Sequence, residues 1–296
     1  MKISVVMTTY NGEKYLEQQI ESILAQTLQP AEFIVCDDCS ADGTVAILEK
    51  YSKLKRLTYV VNKKQLGLID NFRKAVALAD SNNYVALSDQ DDEWLPDKLE
   101  KSTSLLEKMD QNLPCMVHTD LILVDEQGNM LNNSFRNELG QDNYEHNLQS
   151  QLFGNFVTGC TMMINPSLKR FFAEMPGNVR FHDAWIALAA FTFGEVAEVI
   201  APTIRYRKHD TNLSITAGTK PRNRYRSTMN QLIKAINGKD DFLSLQLETA
   251  RKFYDQYHFD MTADKKACFE RFLDLASKPY FIKKVAFGRM VRHFKL

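Results

Sequence analysis

Along the N-terminal third of the chain, short apolar runs alternate with longer segments of helical spacing. Residues 3–8 read as a buried strand, and residues 12–28 place Leu16, Ile20, Ile23 and Leu24 at i, i+4, i+7 and i+8, one face of a helix. Phe33 to Asp37 predicts a second strand, Thr44 to Leu54 a helix with Val45, Leu48 and Leu54 on its apolar side, and Leu57 to Val61 a third strand. Asn71 to Ala79 as helix and Tyr84 to Ser88 as strand complete a βαβαβαβ order. Such alternation with short connections predicts a mostly parallel sheet covered by helices on both faces.

Each strand runs directly into a polar cluster: Thr8-Thr9-Tyr10-Asn11, Asp37-Asp38, Asn62 and Asp89-Gln90-Asp91-Asp92. Open parallel sheets bind ligands outside the carboxyl ends of their strands, so the clusters are expected to share one crevice. The pattern then changes. Met116 to Val124, Phe156 to Ile164 and Val196 to Ile200 predict further strands separated by irregular stretches, the first followed by a turn at 125–129. The sheet is therefore expected to continue as a mixed one. From about residue 216 helix formers dominate. The last stretch shows two apolar sides instead of one clean stripe: Phe281, Ile282 and Val285 on one, Phe287, Met290, Val291 and Phe294 on the other.

Composition narrows the class. With 296 residues, 44% hydrophobic and 25% charged, the chain is neither low-complexity nor disordered and can bury a sizeable core. The apolar run Ile3–Met7 is too short for a signal peptide, and Ala184–Phe193 is about half of the roughly 20 residues a spanning helix needs. Five cysteines, an odd count, suggest reduced thiols in a cytosolic protein; Cys36 and Cys39 form a CxxC, with no second pair to complete a zinc site. The 37 basic and 37 acidic groups balance but are not evenly spread. Lys220, Arg222, Arg224, Arg226, Lys234 and Lys239, and again Lys278, Lys283, Lys284, Arg289, Arg292 and Lys295, lie in two segments without acids, leaving 25 basic against 37 acidic groups elsewhere. One reading is a solvated helical extension; the sharper one is peripheral attraction of this basic C-terminal region to an anionic membrane face. No nucleic-acid partner is expected.

Familiar catalytic motifs are absent: no G-x-G-x-x-G follows the first strand, and there is no P-loop, G-x-S-x-G or H-E-x-x-H. Carboxylates stand in their place. Asp89-Gln90-Asp91 follows an apolar strand, and alternate residues there can aim two carboxylates into one crevice, the oxygen-donor geometry that Mg²⁺ or Mn²⁺ favours beside substrate phosphates. The competing reading is that Asp91, Asp92 and Glu93 cap a helix starting near Pro96. Asp37 and Asp38 run into Ser40, Asp42, Gly43 and Thr44; a carboxylate there can accept a uracil or thymine imide N–H or a ribose hydroxyl, or can simply cap a turn.

These residues resemble a family. Ser4 to Gly12 (SVVMTTYNG), Val35 to Thr44 (VCDDCSADGT) and Leu87 to Lys98 (LSDQDDEWLPDK) are similar to the three N-terminal signatures of family 2 glycosyltransferases of GT-A fold, the last in the form of bacterial rhamnosyltransferase-type members. Thr158-Gly159-Cys160-Thr161, His182-Asp183-Ala184-Trp185 and Tyr206-Arg207-Lys208-His209 follow in the expected order, so the resemblance covers about the first 210 residues. It implies an α/β fold with a mixed, mostly parallel sheet: a GT-A domain over 1–215, with a nucleotide-sugar-binding half at 1–115 and an acceptor-side half at 116–215, and a helical C-terminal extension over 216–296.

The same resemblance implies that Thr8 and Tyr10 line the base and ribose pocket, that Asp38 holds the nucleobase, and that Asp91, helped by Asp89, holds Mg²⁺ or Mn²⁺. Asp183 aligns with the catalytic base, and His209 is placed at the pyrophosphate or the metal. Gly159, Cys160, His182 and Trp185 become candidates for the substrate pocket. Each has a plainer reading: Asp183 in the first turn of a helix, Trp185 and His182 in the core, Gly159 at a strand bulge. Cys39 departs from the Gly or Asn commoner at its position, and Lys208 from an uncharged residue. The implied activity is inverting transfer of a sugar from a nucleotide-diphosphate sugar, dTDP-rhamnose or a UDP-sugar, to a hydroxyl of a surface polysaccharide or lipid-linked glycan precursor at the inner membrane face. The rivals are a sugar-phosphate nucleotidyltransferase, whose Gly- and Arg-rich loop TTYNGEKY lacks, and a non-catalytic sugar-nucleotide or glycan-binding module.

Overall fold

A computed structural model describes residues 1–141, 144–209 and 241–292. The basic segment 220–239 and Lys295 lie outside the described residues. The expected alternation is present: β1 (Ile3–Thr9), α1 (Leu16–Leu24), β2 (Glu32–Asp37), α2 (Thr44–Lys53), β3 (Thr58–Val61), α3 (Leu68–Leu78) and β4 (Tyr84–Ser88). These four strands are parallel in the order β3-β2-β1-β4, and β1 sits centrally because Val5, Val6 and Met7 are apolar on both faces and fully buried.

The sheet then turns mixed. After β5 (Glu93–Trp94) and α4 (Lys98–Leu106), the long β6 (Cys115–Val124) carries the edge hairpin strand β7 (Met130–Asn132), and α5 (Phe135–Leu139) and α6 (Leu148–Phe153) follow. Next come β8 (Met163–Ile164), α7 (Pro166–Ala173), α8 (His182–Phe193) and β9 (Glu195–Arg207). β8 bridges β4 and β6 antiparallel to both, β9 runs parallel to β6, and β5 closes the far edge antiparallel to β9.

Three expectations change. Phe156 to Ile164 is not one strand: i→i+3 bonds from Thr161 N to Thr158 O (2.9 Å) and from Met162 N to Gly159 O (3.1 Å) wind Gly159–Thr161 into a 3₁₀ turn, leaving two residues in the sheet. An apolar run shows burial but not period, so the sequence did not separate turn from strand. The strand expected at Val196–Ile200 continues to Arg207 through a bulge, where Thr119 pairs with Val199 but Asp120 with Pro202, a site that tolerates a proline without an N–H. Finally, Glu93 and Trp94 pair with Arg205 and Ile204 as β5, so Asp91 and Asp92 lead into a short strand and do not form the helix cap of the alternative reading, a position that Asp97 holds.

The chain divides into two compact units. The sheet unit comprises Met1–Phe135 and Val157–Asn212. The other takes Arg136–Phe156 together with the C-terminal part of the chain, described here over 241–292 as α9 (Ser244–Tyr257), α10 (Ala263–Asp274) and α11 (Tyr280–Arg292). Its core is aromatic: Phe153 meets Phe272 edge-on at 4.9 Å, Phe253 stacks on Phe269 at 5.7 Å, and Phe242 meets Phe287 at 5.8 Å. Segment 136–156, assigned by sequence to the acceptor-side half, groups with these helices because Leu148, Leu152 and Phe153 bury there.

Candidate active site

The loops after β1 and β2 are fastened to each other by their own polar residues. Asn11, in the left-handed region at φ 48°, donates its N–H to Ser40 Oγ (2.9 Å) and accepts from Ala41 N (2.8 Å), while Gly12 N donates to Thr44 Oγ1 (2.8 Å). Cys39 adopts φ 64°, which is the backbone reason that Gly or Asn would be commoner there. A third loop joins through Gln90, whose amide pairs with both backbone groups of Tyr10, accepting from N at 2.8 Å and donating to O at 3.0 Å. A Cβ on Gly12 would lie 2.3 Å from Gln90 Oε1, so this glycine makes room for the pairing. Thr8 is buried beside it at the end of β1, and the Tyr10 side chain is exposed at the mouth.

The two carboxylates after β2 are consumed by the scaffold. Asp37, fully buried, accepts from Thr9 Oγ1 (2.8 Å), Ser40 N (2.9 Å) and Ser40 Oγ (2.5 Å). Asp38 accepts from Asn62 Nδ2 (2.8 Å) and from the backbone N–H groups of Leu66 (2.7 Å) and Gly67 (2.8 Å), just ahead of α3. Three of its roughly four acceptor positions are thereby occupied.

The carboxylates after β4 are placed very differently. Asp89 is pushed up to about 7 by burial, then by the negative charges of Asp91 and Asp183, with the Cys160 thiol acting the other way. Asp183 in the first turn of α8 and the Asp89–Asp91 pair therefore share one field, although 92 positions separate Asp91 from Asp183. Asp91 Oδ2 pairs with His209 Nε2 at 2.8 Å, and the His209 ring lies 5.3 Å from that of Tyr15. Asp92 is fully buried; its Oδ1 accepts from Arg207 N (3.2 Å), its Oδ2 has no hydrogen-bond partner, and burial followed by the charges of Asp91 and Asp89 pushes it well above the usual carboxylate range.

Ligand atoms of Asp89, Asp92 and Cys160 lie within 4.8 Å of one another. Burial and the adjoining carboxylates raise the Cys160 thiol well above its ordinary value, so it stays protonated and is a poor partner for a hard cation. The carboxylate oxygens of Asp89 and Asp91, with His209 beside them, are hard donors of the kind Mg²⁺ or Mn²⁺ takes, and a divalent cation held there would offset the part of the Asp89 shift that comes from neighbouring negative charge.

The four pocket candidates are all buried. His182 is buried with both ring nitrogens lacking hydrogen-bond partners, 4.4 Å from the Phe72 ring and 6.2 Å from Phe172, and burial pushes it down to about 4. A Cβ on Gly159 would come within 2.6 Å of His182 Nε2, so the close approach this glycine permits is that of the imidazole. Cys160 and Trp185 are fully buried, Trp185 in the core-facing part of α8. Asp38 stands two strands from β4, with β1 between.

Two residues that the sequence did not single out organise the site. Arg207, buried, donates from Nε to Asp91 O (3.2 Å), from Nη1 to Glu126 O (3.1 Å) and from Nη2 to Gln18 Oε1 (2.8 Å), and its guanidinium covers the Tyr15 ring at 4.8 Å. Lys98 is fully buried 4.3 Å over the Trp94 ring and faces Asp92 and Cys160; burial pushes it down to about 8 against their attraction. Both lie within quoted motifs, YRKH and LPDK, and that was the available signal. A groove of about 620 Å³ lined by Glu32, Lys55, Arg56 and Thr58 opens at the amino ends of β2 and β3, the opposite end of the strands from this chemistry.

The chain is similar to known glycosyltransferases. An uncharacterized glycosyltransferase of Haemophilus influenzae is 32% identical over 171 residues, 57% of this chain and 53% of that protein. The putative teichuronic acid biosynthesis glycosyltransferase TuaG of Bacillus subtilis is 38% identical over 105 residues, 35% and 41% of the two chains. The chain thus spans about half or less of the length of these relatives. Staphylococcus aureus TarS 1–349 in complex with UDP-GlcNAc shares the fold at a TM-score of 0.55 and 17% identity, over 99% of this chain and 84% of that one. The mixed sheet flanked by helices is therefore the GT-A-type fold, with helices C-terminal to it. The family model described as glycosyl transferase family 2 matches residues 4–172, more than half of the sequence, and the chain belongs to that family.

Proposed function

We propose that the protein transfers a sugar, with inversion, from a nucleotide-diphosphate sugar to a hydroxyl of a surface polysaccharide or glycolipid precursor. The observation that carries this reading is the field shared by Asp183 and the Asp89–Asp91 pair at the carboxyl end of β4. Direct displacement at an anomeric carbon needs stabilisation of the departing diphosphate on one side of the sugar and a proton acceptor on the other. Asp183, at the start of α8 where the helix N-terminus favours a carboxylate anion, accepts the proton of the attacking hydroxyl. Asp89 and Asp91, with His209, would hold Mg²⁺ or Mn²⁺, which offsets charge on the leaving diphosphate. Arg207 keeps Asp91 in place by gripping its carbonyl, and Gln90 locks the Tyr10 backbone at the mouth where nucleobase and ribose would bind. Thr8, Tyr10 and the Asp38 turn would form that nucleotide pocket.

The donor is a UDP- or dTDP-sugar, with rhamnose as the transferred sugar resting on the SDQDDxW motif and a uridine donor supported by the UDP-GlcNAc complex of TarS. The name of TuaG, a putative teichuronic acid biosynthesis glycosyltransferase, supports a polysaccharide as the product. The test is incubation of the chain with a panel of nucleotide sugars and Mg²⁺ or Mn²⁺, reading nucleotide release and product anomericity. Retention at the transferred sugar, or release of pyrophosphate from a nucleoside triphosphate instead, overturns the reading.

A further inference from the structure

The two apolar sides of the C-terminal segment have different fates. On α11, Tyr280 and Met290 are buried, and Phe287 packs 5.8 Å from Phe242 and 6.3 Å from Phe153, so one side completes the aromatic core of its unit. The other side faces out: Phe281 is 71% exposed, Ile282 44% and Val285 37%. With the exposed Arg289 these positions span about 100° of the helix circumference, one continuous stripe. Exposed phenylalanine, isoleucine and valine side by side mark a contact surface and not the scattered apolar residues of an ordinary exterior.

The charge around the stripe selects the occupant. Residues 278–296 hold six Lys or Arg and no acid; Arg289 stands exposed on the stripe, Lys283 is buried, and Lys278 is paired to Asp274, the nearest acid by sequence, at 3.1 Å. A second copy docking through the same face would bring like charges together. Among the described residues no helix is long and apolar enough to cross a membrane, so insertion is limited to the depth of side chains. We propose that the face of α11 bearing Phe281, Ile282, Val285 and Arg289 docks in the plane of an anionic lipid bilayer, apolar side chains at the headgroup–acyl boundary and cations at the phosphates. This surface is distinct from the carboxylate site and does not depend on what that site transfers.

The experiment is flotation of the full chain with vesicles of phosphatidylglycerol and phosphatidylcholine in equal parts, and with phosphatidylcholine alone. The chain is expected to float with the first, weakly with the second, and less as salt rises. Phe281→Glu with Val285→Glu is expected to weaken binding about tenfold or more, and Arg289→Gln about fivefold, at unchanged thermal melts, since all three side chains are exposed. No flotation of the parent chain, or flotation of the double variant equal to the parent, overturns the proposal. So does a dimer by light scattering that the double variant abolishes while flotation is unaltered, which would make a second copy the occupant. Neither donor nor acceptor enters the readout, so failure here and failure of the transferase reading are separate results.

Discussion

The carboxylates after β2 and those after β4 are similar in sequence and opposite in circumstance. Asp38 accepts three hydrogen bonds from Asn62, Leu66 and Gly67, and Asp37 three from Thr9 and Ser40. After β4, burial and the charges of Asp91 and Asp183 raise Asp89, burial and the charges of Asp91 and Asp89 raise the fully buried Asp92, and the backbone donor reaching Asp92 is Arg207 N. A carboxylate supplied with N–H donors builds a turn. Carboxylates crowded together with few donors hold electrostatic repulsion that a cation or a proton would relieve, and such groups are enriched at functional sites.

The sharpest test of this contrast is Asp183→Asn, which removes the proposed base while leaving Asp89 and Asp91 in place. Turnover should fall by about 10²–10⁴ while donor affinity by calorimetry is preserved. Next, Asp38→Ala leaves the amides of Leu66 and Gly67 without their acceptor and should cost about 3 kcal/mol in urea unfolding. A comparable effect belongs to pH. Folded His182 is held down to about 4 against an ordinary 6.5, so between these values the unfolded chain binds more protons; the contribution is complete above pH 6.5 and lost as pH falls through 4. That limb is on the order of 3 kcal/mol, and His182→Phe should flatten it in unfolding curves taken from pH 7 to pH 4.

Asp89→Asn reverses the sign seen at Asp38: removing one of the crowded charges should raise the melting temperature at pH 7.5 by about 2–4 °C while abolishing metal-dependent donor binding. If Asp89→Asn and Asp38→Ala destabilise alike, the distinction between scaffold and site carboxylates is wrong. The smallest effect is expected from Gly12→Ala. Its methyl must push the Gln90 amide off the exposed Tyr10 backbone, so unfolding should change by about 1 kcal/mol, with a rise in KM for the donor as the measurable consequence.

Much of this was legible in the chain. The apolar runs fixed β1 to β4 and their order, and the polar clusters at their ends marked the face where Gln90, Asn11 and Ser40 now meet. Other features were hidden for physical reasons. The Gly159–Thr161 turn lies inside an apolar run whose burial matches that of a strand, and β5 is too short to leave a periodic signal. Arg207 reads as a surface cation until the carbonyls of Asp91 and Glu126 close on it. Segment 136–156 could not be assigned to its unit because the aromatic partners of Phe153 lie more than a hundred residues downstream.

By itself the sequence determined where strands end, which carboxylates follow them and that the last 19 residues carry cations and no acid, because these depend on spacing and composition alone. Tertiary structure decided which carboxylates are satisfied. The donors that quiet Asp38 come from 24 to 29 residues away and the histidine at Asp91 from 118, while Asp89 is lifted by burial, by Asp91 and by Asp183 on α8. Hydrogen bonds and Coulomb fields act through space, so no local pattern in the chain distinguishes an acid that props up a turn from one left crowded among other carboxylates.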